Sequence, residues 1–509
     1  MRVCDLLTSS AQKAPERTAL LHGDRSVSYG ELEGLSNRIA RLLAESGLEP
    51  GDRVLVVMEN SMESAAAYYG ILKAGCVSVE IHDRTTPSEA QYYVKNSGAK
   101  ACILSRTASS RLSDIDAEVV LSQGEIQAVA SRIVIPWAQI EAMDSTRPDI
   151  SVPEDALAAI VYTSGSTGAP KGVMLSHRNL CTNTAAIVSY LGLTSADRVM
   201  AVLPFYYVYG KTLLNTHVMA GGSVVINNRF AFPNAVIKEM VDKEVTGFAG
   251  VPSTFAILMN RSIFPSTTIP TLRYVTQAGG AMAPALTRRV IEHLKGVPLF
   301  VMYGATEASA RLTYLPPDRL VTDKLGSIGI PIPGVEVTVR DDQGNVLGHG
   351  EVGNICAQGP NIMQGYWQDP DETAKALKPW GLVTGDLGHK DAEGFIFLTG
   401  RKKEMLKIGG ERVSPKEIED AIIASGMVHE SAVIGHPDEL LSEVPAAFVV
   451  PLGEDGFHLA ALQRYIAGRL APHKHPKYWH VLRAMPKKPS GKIDKEALKH
   501  ELLHKVRTA

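Results

Sequence analysis

Cysteine is scarce in this chain of 509 residues. The five cysteines, Cys4, Cys76, Cys102, Cys181 and Cys356, are widely spaced, and no two of them form a C-x-x-C pair. An odd number at this spacing argues against a disulfide scaffold or a zinc ribbon. Because free thiols persist in a reducing compartment, the cysteine pattern favours a cytoplasmic protein.

The chain also lacks long apolar runs and an excess of charge of either sign. No stretch approaches the roughly 20 apolar residues of a membrane span, and polar residues interrupt the N-terminus too soon for a signal peptide. The 52 Lys plus Arg residues nearly balance the 54 Asp plus Glu residues, for a formal net charge of −2. This balance argues against a nucleic-acid-binding protein, which needs a basic surface. The length and the 45% of hydrophobic residues are typical of a globular protein with room for roughly three domains.

Helical and strand patterns alternate through most of the chain. A capping box at 28–31 predicts the start of a helix, and apolar residues follow it at helical spacing. A buried strand at 54–58, a helix at 62–74 and a strand at 76–81 predict a βαβ unit with parallel strands. Strand-like apolar segments recur at 199–203, 223–226, 247–251, 274–277 and 299–302. This alternation predicts the α/β fold class.

The pattern changes twice in the C-terminal part of the chain. From about residue 325 to residue 400, alternating segments separated by turns predict a β-rich subdomain. A charged stretch at 400–403 then precedes a small α+β pattern. We therefore predict a large N-terminal domain over 1–400, made of layered α/β subdomains and the β-rich subdomain, and a small mobile α+β domain over 401–509.

The segment YTSGSTGAPKGV at 162–173 carries the clearest chemical signal. Its glycines let backbone N–H groups approach an anion, and its hydroxyl and ammonium groups add donors, so the composition indicates a phosphate-binding loop. It is not a Walker A motif, because Gly172 follows Lys171 where Ser or Thr is required. The alternative is a flexible surface loop. The phosphate-binding candidates are Thr163, Ser164, Gly165, Ser166, Thr167, Gly168 and Lys171.

A second motif, Tyr303-Gly304-Ala305-Thr306-Glu307, ends another predicted strand. With the first motif it strongly resembles the adenylate-forming superfamily, which includes acyl- and aryl-CoA ligases, peptide-synthetase adenylation domains and firefly luciferase. The resemblance implies that Tyr303 stacks on adenine, Thr306 contacts the α-phosphate and Glu307 holds Mg²⁺. That last role is chemically sensible, because a carboxylate beside a triphosphate needs a metal ion between them. By the same resemblance, the nucleotide site includes Gly280, Ala281 and Gly304.

Two further matches to the superfamily concern the ribose and the hinge. Asp386, in the sequence T-G-D, matches the aspartate that accepts hydrogen bonds from the ribose hydroxyl groups, and Arg401 matches the arginine beside it. Lys403 occupies the position of the hinge between the domains. Taken without these flanking motifs, the basic cluster at 401–403 could equally be interpreted as a solvated linker.

The C-terminal domain carries two more matches. Gly409 and Gly410 resemble a glycine-rich hairpin that lines the thiol-entry tunnel after the domain rotates. Lys492, within the sequence P-S-G-K-I, matches the lysine that reaches the carboxylate and the α-phosphate in the first half-reaction. Outside this context, the alternative for Lys492 is a solvated charge in a basic tail.

The acid substrate is less well defined by the sequence. Tyr207 stands where many acyl- and aryl-CoA ligases have histidine, and no aspartate lies between residues 203 and 220 to bind an α-ammonium group. Lys211 would repel such an ammonium group if it faced the pocket; the alternative is that it extends outward. The aromatic residues at 206, 207 and 209 either form the pocket or pack in the core. By their position in the superfamily, the predicted pocket residues are Tyr206, Tyr207, Lys211, Gly250, Val251, Gln277, Gly279 and Ala305.

The resemblance implies an acid–thiol ligase that uses ATP and Mg²⁺. A small carboxylic acid would form an acyl-adenylate with release of pyrophosphate, and the acyl group would pass to coenzyme A or to the phosphopantetheine of a carrier protein. The alternative within the family is a stand-alone enzyme that adenylates an amino acid or aryl acid and loads an acyl or peptidyl carrier protein. A luciferase-like oxygenase uses the same motifs. A nucleotide-binding protein without activity is a further alternative, against which the intact Lys171, Glu307, Asp386, Arg401 and Lys492 argue.

Overall fold

The computed structural model describes residues 1–126, 133–163, 170–408, 411–438, 440–453, 456–487 and 492–506. Its helices are α1 (Val3–Lys13), α2 (Tyr29–Glu45), α3 (Met62–Lys73), α4 (Pro87–Ser97), α5 (Arg106–Arg111), α6 (Trp137–Glu141), α7 (His177–Leu191), α8 (Val208–Ala220), α9 (Pro233–Asp242), α10 (Pro252–Arg261), α11 (Pro284–Leu294), α12 (Pro317–Thr322), α13 (Pro370–Ala376), α14 (Pro415–Ala424), α15 (Leu459–Ala467) and α16 (Lys495–Val506). Across the described ranges, no helix combines the length and the apolar character that a membrane crossing requires.

The strands alternate with these helices in the N-terminal part and follow one another more closely after residue 300. They are β1 (Thr18–His22), β2 (Arg25–Ser28), β3 (Arg53–Val57), β4 (Val77–Ile81), β5 (Ala99–Leu104), β6 (Val119–Ser122), β7 (Ile133–Pro136), β8 (Leu157–Thr163), β9 (Lys171–Ser176), β10 (Arg198–Ala201), β11 (Ser223–Ile226), β12 (Gly247–Gly250), β13 (Tyr274–Gln277), β14 (Leu299–Tyr303), β15 (Thr313–Leu315), β16 (Ser327–Pro331), β17 (Glu336–Arg340), β18 (Gly353–Gln358), β19 (Gly365–Tyr366), β20 (Leu377–Lys378), β21 (Gly381–Lys390), β22 (Ile396–Arg401), β23 (Leu406–Ile408), β24 (Glu411–Val413), β25 (Val428–Asp438), β26 (Ser442–Pro451) and β27 (Tyr478–Val481).

Local capping interactions set the start of the predicted helix after residue 28. The hydroxyl of Ser28 accepts the backbone N–H of Glu31 at 3.2 Å, and the carboxylate of Glu31 accepts the backbone N–H of Ser28 at 2.7 Å. The predicted capping box is therefore present at the start of α2. These two hydrogen bonds satisfy backbone donors that have no partner within the helix.

An eight-stranded sheet contains the predicted βαβ unit. Its order is β19-β9-β8-β4-β3-β5-β6-β7, and β3 pairs in parallel with both β4 and β5. At the other side of the sheet, β8 and β9 pair in an antiparallel manner with Thr163 opposite Lys171. The candidate phosphate-binding loop is thus the connection of a β-hairpin. A Walker A loop instead joins a strand to a helix, so the architecture agrees with the rejection of that motif from the sequence.

A second sheet has 14 strands among the described residues. Its order is β17-β18-β21-β22-β16-β15-β14-β13-β12-β10-β11-β1-β2, with β20 beside β21. Strands β10 to β14 and β1 form its parallel part. The β-rich segment predicted for about 325–400 is present, but it continues this sheet, because β16 pairs with both β15 and β22. Strand β19 leaves the segment and pairs with β9 of the first sheet, so the two sheets meet near Lys171.

The C-terminal part forms a small α+β unit around a five-stranded sheet in the order β24-β23-β26-β25, with β27 beside β26. Alternate residues of β25 face opposite sides of this sheet. Val433 belongs to an apolar cluster with Ile418 of α14 and Leu462 of α15, whereas Ile434 packs in a cluster with Leu498 of α16. This architecture agrees with the α+β pattern of the sequence, while the boundary at residue 400 stays a prediction.

Helix α8 begins against the chain segment that precedes it, and Gly210 makes this close approach feasible. A Cβ atom at residue 210 would lie 2.0 Å from the carbonyl oxygen of Pro204. No side chain fits at that distance. Glycine at residue 210 therefore lets the first turn of α8, which runs from Tyr207 to Lys211, pack closely against the preceding segment.

We expect the substitution Gly210→Ala to lower the free energy of unfolding by about 2 kcal/mol, because the clash outweighs the roughly 1 kcal/mol that alanine gains over glycine in a helix. The midpoint of urea unfolding measures this loss. Gly453→Ala is the matched control, since a Cβ atom there meets nothing within 4 Å. Equal midpoints for the two variants would contradict the steric account.

Candidate active site

Tyr303 and Arg401, the last residues of β14 and β22, meet Asp386 in the middle of β21. The hydroxyl of Tyr303 donates to Oδ2 of Asp386 at 2.6 Å, and Nε of Arg401 lies 3.0 Å from Oδ1 of Asp386. The ion pair follows from strand register, because Asp386 of β21 pairs directly with Arg401 of β22. The structure therefore brings together the three residues that the resemblance assigns to adenine and ribose.

The tyrosine of this group is held as a hydrogen-bond donor. Burial and the neighbouring Asp386 carboxylate raise the pKa of Tyr303 well above its ordinary value, because both disfavour the phenolate. The phenol is consequently neutral at physiological pH and fixes one oxygen of Asp386. The carboxylate still has acceptor positions for a further donor, since an ionised carboxylate accepts about four hydrogen bonds.

A tight turn follows β14 and carries Thr306 and Glu307. The turn requires glycine at residue 304, because a Cβ atom there would lie 1.9 Å from the carbonyl oxygen of Ala310. Ser309 and Ala310 adopt φ values of 56° and 114°, a region that non-glycine residues rarely occupy. Such backbone strain is typical of functional sites, where the surrounding structure maintains it.

Glu307 is fixed by a residue that the sequence analysis missed. The hydroxyl of Tyr366, in β19, donates to Oε1 of Glu307 at 2.7 Å. Burial and the carboxylates nearby raise the pKa of Tyr366, so this phenol also stays protonated and donates. No local pattern in the sequence marks Tyr366, because its role depends on the pairing of β19 with β9.

Lys171 pairs with a second missed residue, Glu372 of α13. The two side chains form an ion pair, and Nζ of Lys171 lies 5.3 Å from the centre of the Tyr366 ring. Lys375 also lies 2.6 Å from Glu372, and the two lysines lower the pKa of Glu372 to about 2. Lys171 thus stands beside Tyr366 and, through it, beside Glu307, so the charged groups expected around the triphosphate share one region.

Several predicted residues fall outside the described part of the chain. Ser164, Gly165, Ser166, Thr167 and Gly168 of the phosphate-binding candidates, and Gly409 and Gly410 of the hairpin, lie outside the described residues. Their roles stay predictions.

Lys403 and Lys492 are both exposed. Lys403 lies in the 3-10 turn Lys402–Glu404 that directly follows β22, as a hinge residue would. Lys492 precedes α16, next to a strand bridge between Lys487 and Ile493. The start of α16 is tied to the turn at residues 402–404 by an ion pair between Lys495 and Glu404 at 2.9 Å. The structure thus links the segment of Lys492 to the turn that contains Lys403.

A cavity lies beside α8, against β4 and β8 of the eight-stranded sheet and next to the turn that carries Glu307. Its lining includes Tyr206, Tyr207 and Lys211 from the predicted pocket residues, and Ser309 from the strained turn. Tyr209 does not line this cavity; its hydroxyl lies 2.9 Å from Thr276 Oγ1 and its ring packs under a buried arginine. Of these three aromatic residues, Tyr206 and Tyr207 therefore line the cavity, and Tyr209 packs in the core.

Lys211 faces this cavity, so the alternative that it extends outward is wrong. Its Nζ lies 2.7 Å and 2.8 Å from the two carboxylate oxygens of Glu80, in β4. Burial lowers the pKa of Lys211 and the Glu80 carboxylate opposes this shift. Because the pair carries no net charge, the expected repulsion of an α-ammonium group does not follow. Removing one partner of such a buried pair typically costs about 3–5 kcal/mol.

The remaining predicted pocket residues lie apart from this cavity lining. Gly250 and Gln277 are paired at the ends of β12 and β13, and the amide of Gln277 donates to the carbonyl oxygen of Gly280 at 2.8 Å. The exposed loop that follows β13 holds Gly279, Gly280 and Ala281, next to Val251, while Ala305 lies in the turn after β14. These residues form a second group at the ends of the parallel strands, where α/β sheets commonly bind ligands.

Comparison with known proteins agrees with this geometry. A family model described as AMP-binding enzyme matches residues 7–367, and a model of the AMP-binding enzyme C-terminal domain matches residues 417–492. A feruloyl-CoA synthase of an Amycolatopsis species is 32% identical over 95% of each chain. A long-chain-fatty-acid–CoA ligase of Bacillus subtilis is 29% identical over 97% of this chain and 94% of the relative.

A solved structure matches over almost the whole length as well. The ATP-bound structure of MatB from Rhodopseudomonas palustris has a TM-score of 0.88 and 29% identity, over 98% of this chain and 99% of MatB. The first family model alone covers more than half of the chain and includes the tyrosine, threonine and glutamate at residues 303, 306 and 307. This chain therefore belongs to the adenylate-forming family of AMP-binding enzymes.

Proposed function

We propose that the protein is an acid–thiol ligase that converts a carboxylic acid and ATP into an acyl-adenylate and pyrophosphate, and then transfers the acyl group to coenzyme A. The observation that carries the proposal is the contact of Tyr303 and Arg401 with the same carboxylate, Asp386. This arrangement offers an aromatic ring, an acceptor and a guanidinium group to one adenosine. The relatives named above as CoA ligases support the thiol step.

The chemistry requires that two anions approach each other. A carboxylate has no good leaving group, so its oxygen attacks the α-phosphorus of ATP, and pyrophosphate departs. The active site must neutralise charge and hold the reactants in line. Lys171 is available for this task once it exchanges Glu372 for a phosphate, and Lys492 approaches if the C-terminal domain rotates at Lys403. In the second step the thiol sulfur attacks the acyl carbon, and AMP departs.

The residues present fit a magnesium ion held mainly by the nucleotide. The described residues contain no group of three or more His, Cys, Asp or Glu side chains that would form a metal site on its own. Mg²⁺ is usually bound by one or two carboxylates together with substrate phosphates and water. Glu307, oriented by Tyr366, supplies one such carboxylate. When bound, the ion would neutralise phosphate charge.

The acceptor and the compartment belong to the same proposal. Coenzyme A is favoured because the curated relatives matched over nearly their whole length are CoA ligases, and a phosphopantetheine carrier protein is the alternative acceptor. All five cysteines are buried thiols, which agrees with a reducing, cytoplasmic location.

The direct test of the function is AMP formation with a panel of fatty, aryl and amino acids, each supplied with coenzyme A or with a carrier protein. We expect AMP and a CoA thioester in equal amounts with at least one acid of the panel. Formation of ADP in place of AMP would contradict the adenylation step, and loading of the carrier protein alone would assign the alternative acceptor.

We expect Asp386→Asn to weaken AMP binding about 10-fold or more, because the carboxylate loses its charge beside Arg401 and one acceptor for the ribose. Isothermal titration with AMP measures the effect. Asp391→Asn is the matched control: Asp391 follows the same strand β21 and pairs with Lys324 at 2.8 Å, away from Tyr303. An equal loss of affinity in both variants would contradict the assignment of the ribose site.

We expect Glu307→Gln to raise the Mg²⁺ concentration needed for half-maximal activity about 10-fold or more, because an amide binds this hard cation less well than a carboxylate. Glutamine retains an oxygen for the hydroxyl of Tyr366, so the variant tests charge and not packing. The measurement is acid-dependent pyrophosphate exchange over a magnesium titration. An unchanged titration would remove Glu307 from the metal site.

We expect Lys492→Ala to slow adenylate formation about 100-fold or more and to leave thioester formation from a supplied acyl-adenylate largely intact. The reason is that the lysine acts on the α-phosphate only in the first half-reaction. Lys499→Ala, on the exposed face of α16, is the control. Equal losses in the two half-reactions would contradict the alternation of the C-terminal domain.

A further inference from the structure

The cavity beside α8 has an unusual floor for a site that takes an organic acid. Around it, β4, β8, α3, α7 and α8 contribute mostly apolar and aromatic side chains. The floor, however, holds the buried ion pair of Lys211 and Glu80, whose side chains are only 10% and 11% exposed. The cavity reaches from this pair to Ser309, three residues after Thr306, so an acid reacting near Thr306 would direct its far end toward the pair.

The hydrogen bonds that Lys211 and Glu80 already make show which further hydrogen bonds a substrate could form with them. Nζ of Lys211 contacts both oxygens of Glu80 and lies 3.9 Å from the centre of the Tyr68 ring. Glu80 also accepts the hydroxyl of Ser78 at 3.2 Å. Described residues therefore fill three of the about four acceptor positions of this carboxylate. An additional donor can bind Glu80, while the donors of Lys211 are directed at Glu80 and Tyr68.

Charge and size restrict that additional donor. A second carboxylate or an ammonium group would each enter this cavity as an unpaired charge, because Lys211 and Glu80 already neutralise each other, and burying an unpaired charge is costly. A methyl group would gain no hydrogen bond at a polar surface. The cavity measures about 30 Å³, room for about two water molecules, so the group that reaches the floor must be small.

We infer that the acid substrate carries a neutral hydroxyl group at the end remote from its carboxylate, and that this hydroxyl donates to Glu80 of the Lys211–Glu80 pair. The inference rests on the proposed function, since it concerns the acid that is activated. It narrows the substrate class to hydroxy acids, either aromatic or short-chain. Lys211 acts as a positioning residue that holds the Glu80 carboxylate toward the cavity through both of its oxygens.

The test compares pairs of acids that differ only at the end remote from the carboxylate, where one member carries a hydroxyl group and the other a methyl group. Two matched pairs, 4-hydroxycinnamate with 4-methylcinnamate and 6-hydroxyhexanoate with heptanoate, cover a ring and a chain. We expect kcat/KM for AMP formation to favour the hydroxyl member of the better pair by about 10- to 100-fold, the effect of one hydrogen bond to a charged group. A ratio at or below one, or a faster reaction with 4-carboxycinnamate, would overturn the inference.

A double substitution then tests the pair itself. Glu80→Leu with Lys211→Met removes both charges together, because replacing a whole buried pair by apolar residues is often tolerated. We expect the hydroxyl preference to disappear in this variant. The matched control is Glu33→Leu with Lys73→Met, which removes another buried pair, at 2.6 Å, that does not line the cavity. A preference that survives the first double substitution would overturn the inference.

The outcomes separate this inference from the function on which it rests. AMP formation without a hydroxyl preference would contradict only the inference, whereas no AMP formation with any acid would contradict the proposed function and the inference with it. If the double variant does not fold, the kcat/KM ratio between the hydroxyl and methyl acids, measured with the unmodified enzyme, still tests the inference.

Discussion

The antiparallel pairing of β21 with β22 is the constraint on which the site depends. It places Asp386 opposite Arg401, and the hydroxyl of Tyr303 reaches the same carboxylate from β14. Because β22 ends at Arg401 and the turn containing Lys403 follows at once, one strand pair both forms the proposed ribose site and leads into the proposed hinge. A shift of register by one residue would turn these side chains to the opposite face of the sheet. The proposed adenosine site and the proposed hinge therefore share a single structural element.

The protein keeps its functional charges paired before any ligand arrives. Lys171 is paired with Glu372, Arg401 with Asp386, and Lys211 with Glu80. An unpaired charge away from water costs several kcal/mol, so the pairings lower the cost of burying Lys171 and Lys211, whose side chains are 14% and 10% exposed. In the proposed function, a bound anion would replace one of these partners. The formal net charge of −2 is compatible with a triphosphate substrate, since the positive charge of the candidate site is local.

Features that depend on neighbouring residues could be predicted from the sequence, and those that depend on distant residues could not. The capping box at Ser28, the βαβ unit and the strand that ends at Tyr303 are encoded within short segments, and the structure contains all three. The partners Glu80 and Glu372 are 131 and 201 residues away from the lysines that they bind. No periodicity connects such positions, because each contact joins a strand to a helix from a distant part of the chain and exists only after the two have packed together. For the same reason the sequence could not show that Lys211 faces the cavity, or that the β-rich segment continues the larger sheet.

The formation of an acyl-adenylate is the central claim, and the fate of the carboxylate oxygen tests it most directly. An acid labelled with ¹⁸O in both carboxylate positions is incubated with the enzyme, ATP and coenzyme A, and the nucleotide product is analysed by mass spectrometry. If a carboxylate oxygen attacks the α-phosphorus and leaves with it when the thiol attacks the acyl carbon, each AMP molecule carries one ¹⁸O atom. Attack at the γ-phosphorus would instead give ADP and, after the thiol attacks the acyl phosphate, ¹⁸O-labelled inorganic phosphate, and those products would contradict the account.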